Sequence, residues 1–592
     1  MPRISVRTAA VPVAATVAAL LLCSCSAGAG AGAGQQAKTD AAAKPVSKLA
    51  AIIGTAKDSA GPAPEVPGAR RGGTLKVLNA NDYAHLDPQK IYSGETYNTS
   101  LLWGRQLTQY QLVDGKPKLV GDLATDLGRS SDGGRTWTFT LKDGLAWEDG
   151  KPITSKHVKY GIQRTFAPGF EAGPSYWPTW LTGTTNLTEA RKVYGGPEAG
   201  DLKAIETPDD KTVVFRFPQP QADVSFMATQ SSSSPVRPDK DTGSAYDIKP
   251  FASGPYKIVE HRKNQSLTLE RNPHWKPETD PIRHQYVDGY EFTFGKKAVN
   301  SGQEILSGHG DGARTASTDR DGTAPELFSA IDRDPKKKGL LVEGRRGAYT
   351  ASLAIKNSRV TDPEVRRAIH YLFPREQARQ VMGGPRLGEI ATTLSSPAVA
   401  GWEKYDNYPV APQGDIAKAK EHLAKAEKKV TTLTYAYETS PVNDRVAQVL
   451  VEAFGRAGIT LVTKPMSDAA FTDQVFRGPA PYDLWLQTTS VNWPTLSTLL
   501  PESFHSRLDA LENSIRYQNP AVDKELDRVR TIPGIEEKTK ALVALEKTVM
   551  KDVPVVPFLN SATTQVHGKD VGGAAIHPIY GTVSPAWLFL KK

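Results

Sequence analysis

The spacing of apolar and polar positions changes period several times along this 592-residue chain, and each change marks an element. Over residues 135–141, Trp137, Phe139 and Leu141 fall on one face and three threonines on the other, the period-two pattern of a strand with one buried side. Asp143-Gly144 and Asp149-Gly150 follow as turns, and Thr154 predicts the N-cap of a helix over 155–166. Further on, 433–437 reads as a strand and Ser440-Pro441 as a helix start, with Val446, Val449, Leu450, Ala453 and Phe454 on one helical face. Gly458 closes that helix and 459–462 resumes strand character. Strand, helix and strand in such close succession predict a parallel crossover, hence a partly parallel sheet. Thr74–Leu78 predicts another strand, followed by a turn at 79–82, and apolar periodicity predicts helices over 363–382, 416–428 and 536–550. The fold class is α/β.

The N-terminus follows a different pattern. Arg3 and Arg7 precede an uncharged, mostly apolar run over 9–22, shorter than the roughly 20 residues that span a bilayer. It predicts a signal peptide and an exported protein. The sequence Leu20-Leu21-Leu22-Cys23-Ser24-Cys25 resembles a bacterial lipoprotein signal, with Cys25 as the lipidated residue because small Ser24 precedes it. Residues 1–24 are then the signal peptide. The Ala-, Gly-, Lys- and Pro-rich stretch over 25–70 is expected to be a lipid-anchored flexible linker, since it has little apolar bulk to offset ordering entropy. No other run of apolar residues is long enough to cross a bilayer.

This organisation changes the meaning of the net charge of +9. Arg3 and Arg7 supply two of those charges and residues 26–71 a net three, so the body is close to neutral. Lys336-Lys337-Lys338 and Arg345-Arg346 are short clusters flanked by acids without interleaved aromatics, and no nucleic-acid partner is expected. Both cysteines fall in the signal region, which excludes a thiol nucleophile, thiolate metal sites and internal disulfides from the body. There is no Gly-x-Ser-x-Gly elbow, no P-loop and no His-Glu-x-x-His, and the 11 histidines show no metal-ligand spacing. No enzyme activity, cofactor or metal is expected.

The body carries an ordered set of motifs. Pro117-Lys118-Leu119-Val120-Gly121-Asp122-Leu123-Ala124 leads into Asp132-Gly133-Gly134-Arg135-Thr136-Trp137-Thr138-Phe139 and then into Trp147-Glu148-Asp149-Gly150-Lys151-Pro152-Ile153-Thr154. Ser253-Gly254-Pro255-Tyr256, Asn272-Pro273-His274-Trp275, Asp362-Pro363-Glu364-Val365-Arg366-Arg367-Ala368 and Val553-Pro554-Val555-Val556-Pro557 follow in turn. Together they resemble the bacterial extracellular solute-binding proteins of family 5, the oligopeptide- and dipeptide-binding lipoproteins of ABC importers. One departure is His157, where the family pattern has an acid that completes the helix cap; its loss should weaken the helix start by about 0.5–1 kcal/mol.

The resemblance implies a two-lobed, periplasmic-binding-protein-like (type II) fold with an extra subdomain in lobe I. Lobe I is expected over 71–345, with the subdomain over 113–245, lobe II over 346–555, and a return to lobe I over 556–592. Crossover hinges are expected near 351–355 and 555–559. It further implies capture of a peptide by hinge closure, delivery to an ABC permease with its cytoplasmic ATPase, a monomer, and a lipid anchor on the extracytoplasmic face of the membrane. An oligosaccharide or other non-peptide solute, or an exported lipoprotein hydrolase, are the competing readings.

By the same resemblance the ligand-binding residues are Asn81, Asp82, Tyr83, Ser93, Gly94 and Glu95 on lobe I, and Trp485, Asn492 and Trp493 on lobe II. In peptide-binding members a lobe II Asp meets the ligand ammonium, and the corresponding position here is Asn492 in Val491-Asn492-Trp493-Pro494. Asn supplies no charge, and a buried ammonium without its carboxylate would lose several kcal/mol. The expected ligand is therefore a blocked or unusual peptide or another oligomeric solute, unless Glu95, Asp82 or Asp483 supplies the charge.

Overall fold

The computed structural model describes residues 53–344, 348–477, 481–507 and 513–591. The expected signal peptide, Cys25 and the Gly-Ala run lie outside the described residues. Among the described residues no helix is long and apolar enough to cross a membrane.

Two sheets organise the body as a two-lobed α/β fold. The first has five strands in the order Thr315–Ser317, Thr74–Leu78, Gly289–Thr293, Ser266–Arg271 and Tyr256–Arg262. Thr74–Leu78 runs parallel to both its neighbours, and the remaining pairs are antiparallel. The second has six strands in the order Gly388–Ile390, Val555–Ser561, Tyr349–Ile355, Leu484–Ser490, Thr432–Glu438 and Thr460–Met466. The predicted crossover is present: Thr432–Glu438 and Thr460–Met466 pair in parallel, joined by the helix Pro441–Arg456, whose cap Ser440 accepts from the Asn443 amide. Period-two alternation buries both faces of this sheet. Leu353, Ile355 and Tyr435 enter one core, and Ala354, Ala436 and Trp485 enter the other.

The extra subdomain of the first lobe has its own four-stranded sheet, in the order Arg129–Ser131, Thr136–Thr140, Thr212–Arg216 and Ile205–Glu206. Trp137 and Phe139 are buried on its inner face as the alternation predicts. After Ser561 the chain returns to the first lobe, where Thr563–Val566 pairs with Leu341–Gly344 and Tyr580 and Trp587 join the core.

Four expectations need correction. The helix expected over 363–382 is two helices, Pro363–Leu372 and Arg375–Met382, because Pro374 lacks an amide donor and holds Phe373 extended. The expected hinges at 351–355 and 555–559 are adjacent paired strands inside the six-stranded sheet. Their backbones are fixed by ladder hydrogen bonds, and the passage back to the first lobe comes only after Ser561. The linker expected over 25–70 is docked on the body from residue 53 onward. The Gly54 amide donates to the Leu119 carbonyl at 2.8 Å, Gly121 donates to Ser59 Oγ at 2.8 Å, and Val66 donates to the Tyr286 hydroxyl. Small residues make this possible without apolar bulk, since a Cβ at Gly54 would lie 2.6 Å from the Leu119 oxygen. Finally, His157 replaces the missing acid. Its Nδ1 accepts from the Thr154 amide at 3.1 Å and lies 3.3 Å from Trp147 Nε1, and burial holds the ring below its usual pKa. A neutral imidazole has the acceptor that the cap requires.

Candidate ligand-binding site

The seam between the lobes contains a cavity of about 400 Å³. Its first-lobe wall is the start of the helix Gly94–Ser100, with its cap Ser93, together with the 579–582 turn. Its second-lobe wall is the end of the strand Leu484–Ser490 and the two residues that follow. Gly94 is required at this point: a Cβ there would lie 2.3 Å from the Tyr349 hydroxyl and 2.8 Å from the Tyr580 carbonyl oxygen. Leu484 and Trp485 pair with Thr432–Glu438, but that ladder stops at Trp485. Among the described residues, 486–490 therefore keep one unpaired strand edge, and Thr488 and Ser490 of that stretch face the cavity.

The ionisable side chains lining this cavity, tyrosines aside, are Glu95 and Arg320. Glu95 is partly buried and has no hydrogen-bond or ion-pair partner among the described residues. Burial, reinforced by the nearby charges of Asp319 and Asp321 and opposed by Arg320, pushes its carboxyl up from 4.5 to about 8.

Of the expected ligand-binding residues, Ser93, Gly94, Glu95 and Asn492 line the cavity and the other five do not. Asn81 is exposed on the turn after the first strand. Asp82 is occupied: its carboxylate contacts His261 Nε2 at 2.9 Å and accepts from the Asn264 amide at 2.8 Å and the Tyr83 amide at 2.7 Å. Tyr83 is a core residue, with its ring against Phe292 and Phe294 and its hydroxyl bonded to Asn79. Trp485 is odd-numbered in a strand whose cavity-facing residues are Thr488 and Ser490, so the pleat turns it into the core beneath the opposite face. Trp493 crosses the seam into the first lobe, with its ring 4.9 Å from Tyr176 and 6.0 Å from Trp180. Asp483 is also occupied, by Arg359 at 2.6 Å and by the amide and hydroxyl of Thr434.

Asn492 is engaged across the seam as well. Its Nδ2 donates to the Tyr176 hydroxyl at 2.5 Å and the Tyr92 hydroxyl at 3.1 Å, and its carbonyl accepts from Gln230. The Tyr176 hydroxyl in turn donates to Glu502. This polar group stands beside a second, larger chamber of about 840 Å³, which shares Tyr92, Ser93 and Ser490 with the first. Beyond it the seam is buried around Asp223. The fully buried Asp223 carboxylate of the first lobe takes Lys538 Nζ at 2.6 Å, Ser497 Oγ at 3.0 Å, and Trp493 Nε1 and Thr495 Oγ1 at 3.3 Å, all from the second lobe. Tyr92, Tyr176, Asp223 and Lys538 were not singled out from the sequence. None lies in a motif, and Asp223 and Lys538 are 315 positions apart.

Residues 118–508 match the middle region of the bacterial extracellular solute-binding proteins, family 5. The chain belongs to this family. Its similarity extends to the probable D,D-dipeptide-binding periplasmic protein DdpA of Escherichia coli K12, at 24% identity over 521 residues, covering 85% of this chain and 92% of the relative. The oligopeptide-binding protein OppA of Bacillus subtilis 168 is 20% identical over 489 residues, covering 78% and 83%. Among solved structures, the clavulanic acid biosynthesis oligopeptide binding protein 2 superposes with a TM-score of 0.78 at 26% identity, covering 91% of this chain and all of that one. The murein tripeptide binding protein MppA of Escherichia coli does so with a TM-score of 0.70 at 20% identity, covering 88% and 98%. The fold is that of two-lobed periplasmic binding proteins, and family membership supports a substrate-binding role.

Proposed function

We propose that this chain is the extracytoplasmic substrate-binding lipoprotein of an ABC import system, anchored through Cys25, which encloses a peptide between its lobes and delivers it to a permease. The observation that carries this reading is the strand edge at 486–490, unpaired among the described residues, beside a partly open cavity. An extended peptide backbone satisfies such an edge by strand addition, with main-chain hydrogen bonds giving affinity largely independent of side chains. Closure of the lobes then removes the ligand from water.

Glu95 replaces the acid missing at position 492. Asp82 and Asp483 are committed to internal partners, whereas Glu95 faces the cavity without one among the described residues. Burial and the neighbouring acids push its carboxyl up, and an ammonium brought beside it would favour the charged form. Ordinary peptides with free N-termini are therefore the ligand class, recognised from the first lobe instead of the second. The test is calorimetric titration of the purified chain with short peptides in free-amine and N-acetylated forms. Tighter binding of the free amines, abolished by Glu95→Gln, is the expected outcome. Equal binding of both forms by the wild-type chain would remove Glu95 from this role.

A further inference from the structure

The chain crosses between the lobes after Gly344 and again after Ser561, and the two crossings lie side by side. Leu341–Gly344 pairs with Thr563–Val566 on the first-lobe side, and Thr350 pairs with Asn560 on the second-lobe side. A two-stranded ribbon carries more twist than a wider sheet and is only marginally stable by itself. Unsupported, it would let the lobes twist as well as swing.

A short turn of the second lobe braces this ribbon. Gly383-Gly384-Pro385-Arg386-Leu387-Gly388 leaves the helix Arg375–Met382 and enters the strand Gly388–Ile390 of the six-stranded sheet. Gly388 has a φ of 141°, and a Cβ there would lie 2.2 Å from the Asn560 carbonyl oxygen, so the turn presses directly on the second crossing. Beside it the Leu387 carbonyl accepts from the Ala562 amide at 2.9 Å. Arg386 reaches the first crossing: its Nε donates to Glu343 at 2.8 Å, and its two Nη atoms donate to Asp332 at 2.8 and 3.3 Å. The guanidinium lies 4.9 Å from the centre of the Phe328 ring, and Leu387 packs against the first-lobe cluster of Leu78, Phe328, Ile331 and Val566.

We propose that residues 384–387 are a hinge staple, a noncovalent third connection that ties both crossings to the first lobe. It confines the lobes to a swing about one axis and brings the cavity walls together in the same register at each closure. A bidentate carboxylate, a second carboxylate and a ring face together hold the guanidinium plane in one orientation, which a lone surface ion pair does not. Because these contacts lie beside the crossings, where a swing displaces atoms least, they persist when the lobes part. The inference rests on the reading of ligand enclosure by lobe closure given above.

The test places one spin label on each lobe of the full chain, at the exposed positions Lys192→Cys and Lys524→Cys, with Cys23→Ser and Cys25→Ser. Double electron–electron resonance then reads the interlobe distance distribution, with and without a pool of random free-amine tripeptides. Without peptide, Arg386→Gln combined with Leu387→Ala should broaden that distribution about twofold. Arg386→Lys, which keeps the charge and loses the fork, and Glu343→Gln, which leaves the turn itself intact, should each broaden it less. An unchanged width in the double variant overturns the staple, whatever the peptides do. Broadening in the double variant, with no tripeptide-induced shortening in the wild type, upholds the staple and removes the enclosure reading instead.

Discussion

Asp223 and Glu95 both reach the interlobe seam from the first lobe, yet one carboxylate is saturated with donors and the other has none. Asp223 is sealed from water and meets four second-lobe donors; Glu95 looks into a cavity and pairs with nothing described. The difference separates two tasks. The buried part of the seam supplies contacts that form only where the two lobes meet in this arrangement. The cavity leaves the Glu95 carboxyl without a partner among the described residues, so that a ligand carrying a cation would complete it. A buried ion pair contributes little net stability over an apolar replacement, but removing one partner leaves a desolvated charge and is strongly unfavourable. The Asp223–Lys538 pair therefore fixes the register of the two lobes where they meet.

The largest expected effect breaks that pair. Asp223→Ala strands Lys538 and the Trp493 indole donor and should cost the closed arrangement about 3–5 kcal/mol. Small-angle scattering should show a larger radius of gyration, and ligand affinity should fall more than about 100-fold. Replacing both partners, Asp223→Leu with Lys538→Met, should recover most of the loss. If the single variant stayed compact and bound ligand normally, the distinction between the two parts of the seam would collapse.

Glu95→Gln should act on the ligand alone. Loss of a charge-assisted contact is worth about 1.5–3 kcal/mol, with no change in the compactness of the chain. The pH dependence carries the same signature. Between about pH 4.5 and 8 the unliganded folded chain holds a proton on Glu95 that the unfolded chain has released, so this carboxyl withdraws stability as pH rises through that window. Bound ammonium favours the ionised form, so peptide affinity should rise with pH towards 8 and decline above it as the peptide amine deprotonates. Glu95→Gln should flatten the rising limb, as followed by calorimetry at several pH values.

Gly94→Ala tests how closely the lobes approach at the cavity wall. Its Cβ would overlap the Tyr349 hydroxyl and the Tyr580 carbonyl, and overpacking of this kind costs about 1–3 kcal/mol. A lowered melting temperature together with weaker binding is expected; an unchanged melt would show that the wall yields freely. The smallest effect belongs to Asn492→Ala. It removes two hydrogen bonds to hydroxyls that border open chambers, so about 0.5–1.5 kcal/mol and less than a tenfold loss of affinity are expected. A loss as large as that of Asp223→Ala would place Asn492 with the register-fixing contacts instead.

Much of this architecture is visible as local pattern. The Trp137–Phe139 alternation, the Ser440 cap and the apolar face of Pro441–Arg456 are in place because period and capping act over a few residues. The His157 cap shows where such reasoning is too narrow: residue class suggested a lost acceptor, while the neutral ring provides one. The candidate site was only partly legible. Ser93, Gly94, Glu95 and Asn492 line the cavity, but Trp485 and Trp493 are turned away by the strand pleat and by insertion into the opposite lobe. The docked segment after residue 53 was hidden because its attachment is made of separate hydrogen bonds to distant residues such as Leu119, Gly121 and Tyr286, which composition does not register.

The sequence by itself determined the elements, their order and the family they spell, since these depend on neighbours along the chain. Only the tertiary structure decided which acid remains free to meet a ligand. Asp82 is contacted by a histidine 179 positions away, Asp483 paired with an arginine 124 away, and Asp223 with a lysine 315 away. A carboxylate's availability is set by what folding brings within hydrogen-bond reach, and those distances in sequence leave no trace in the local pattern.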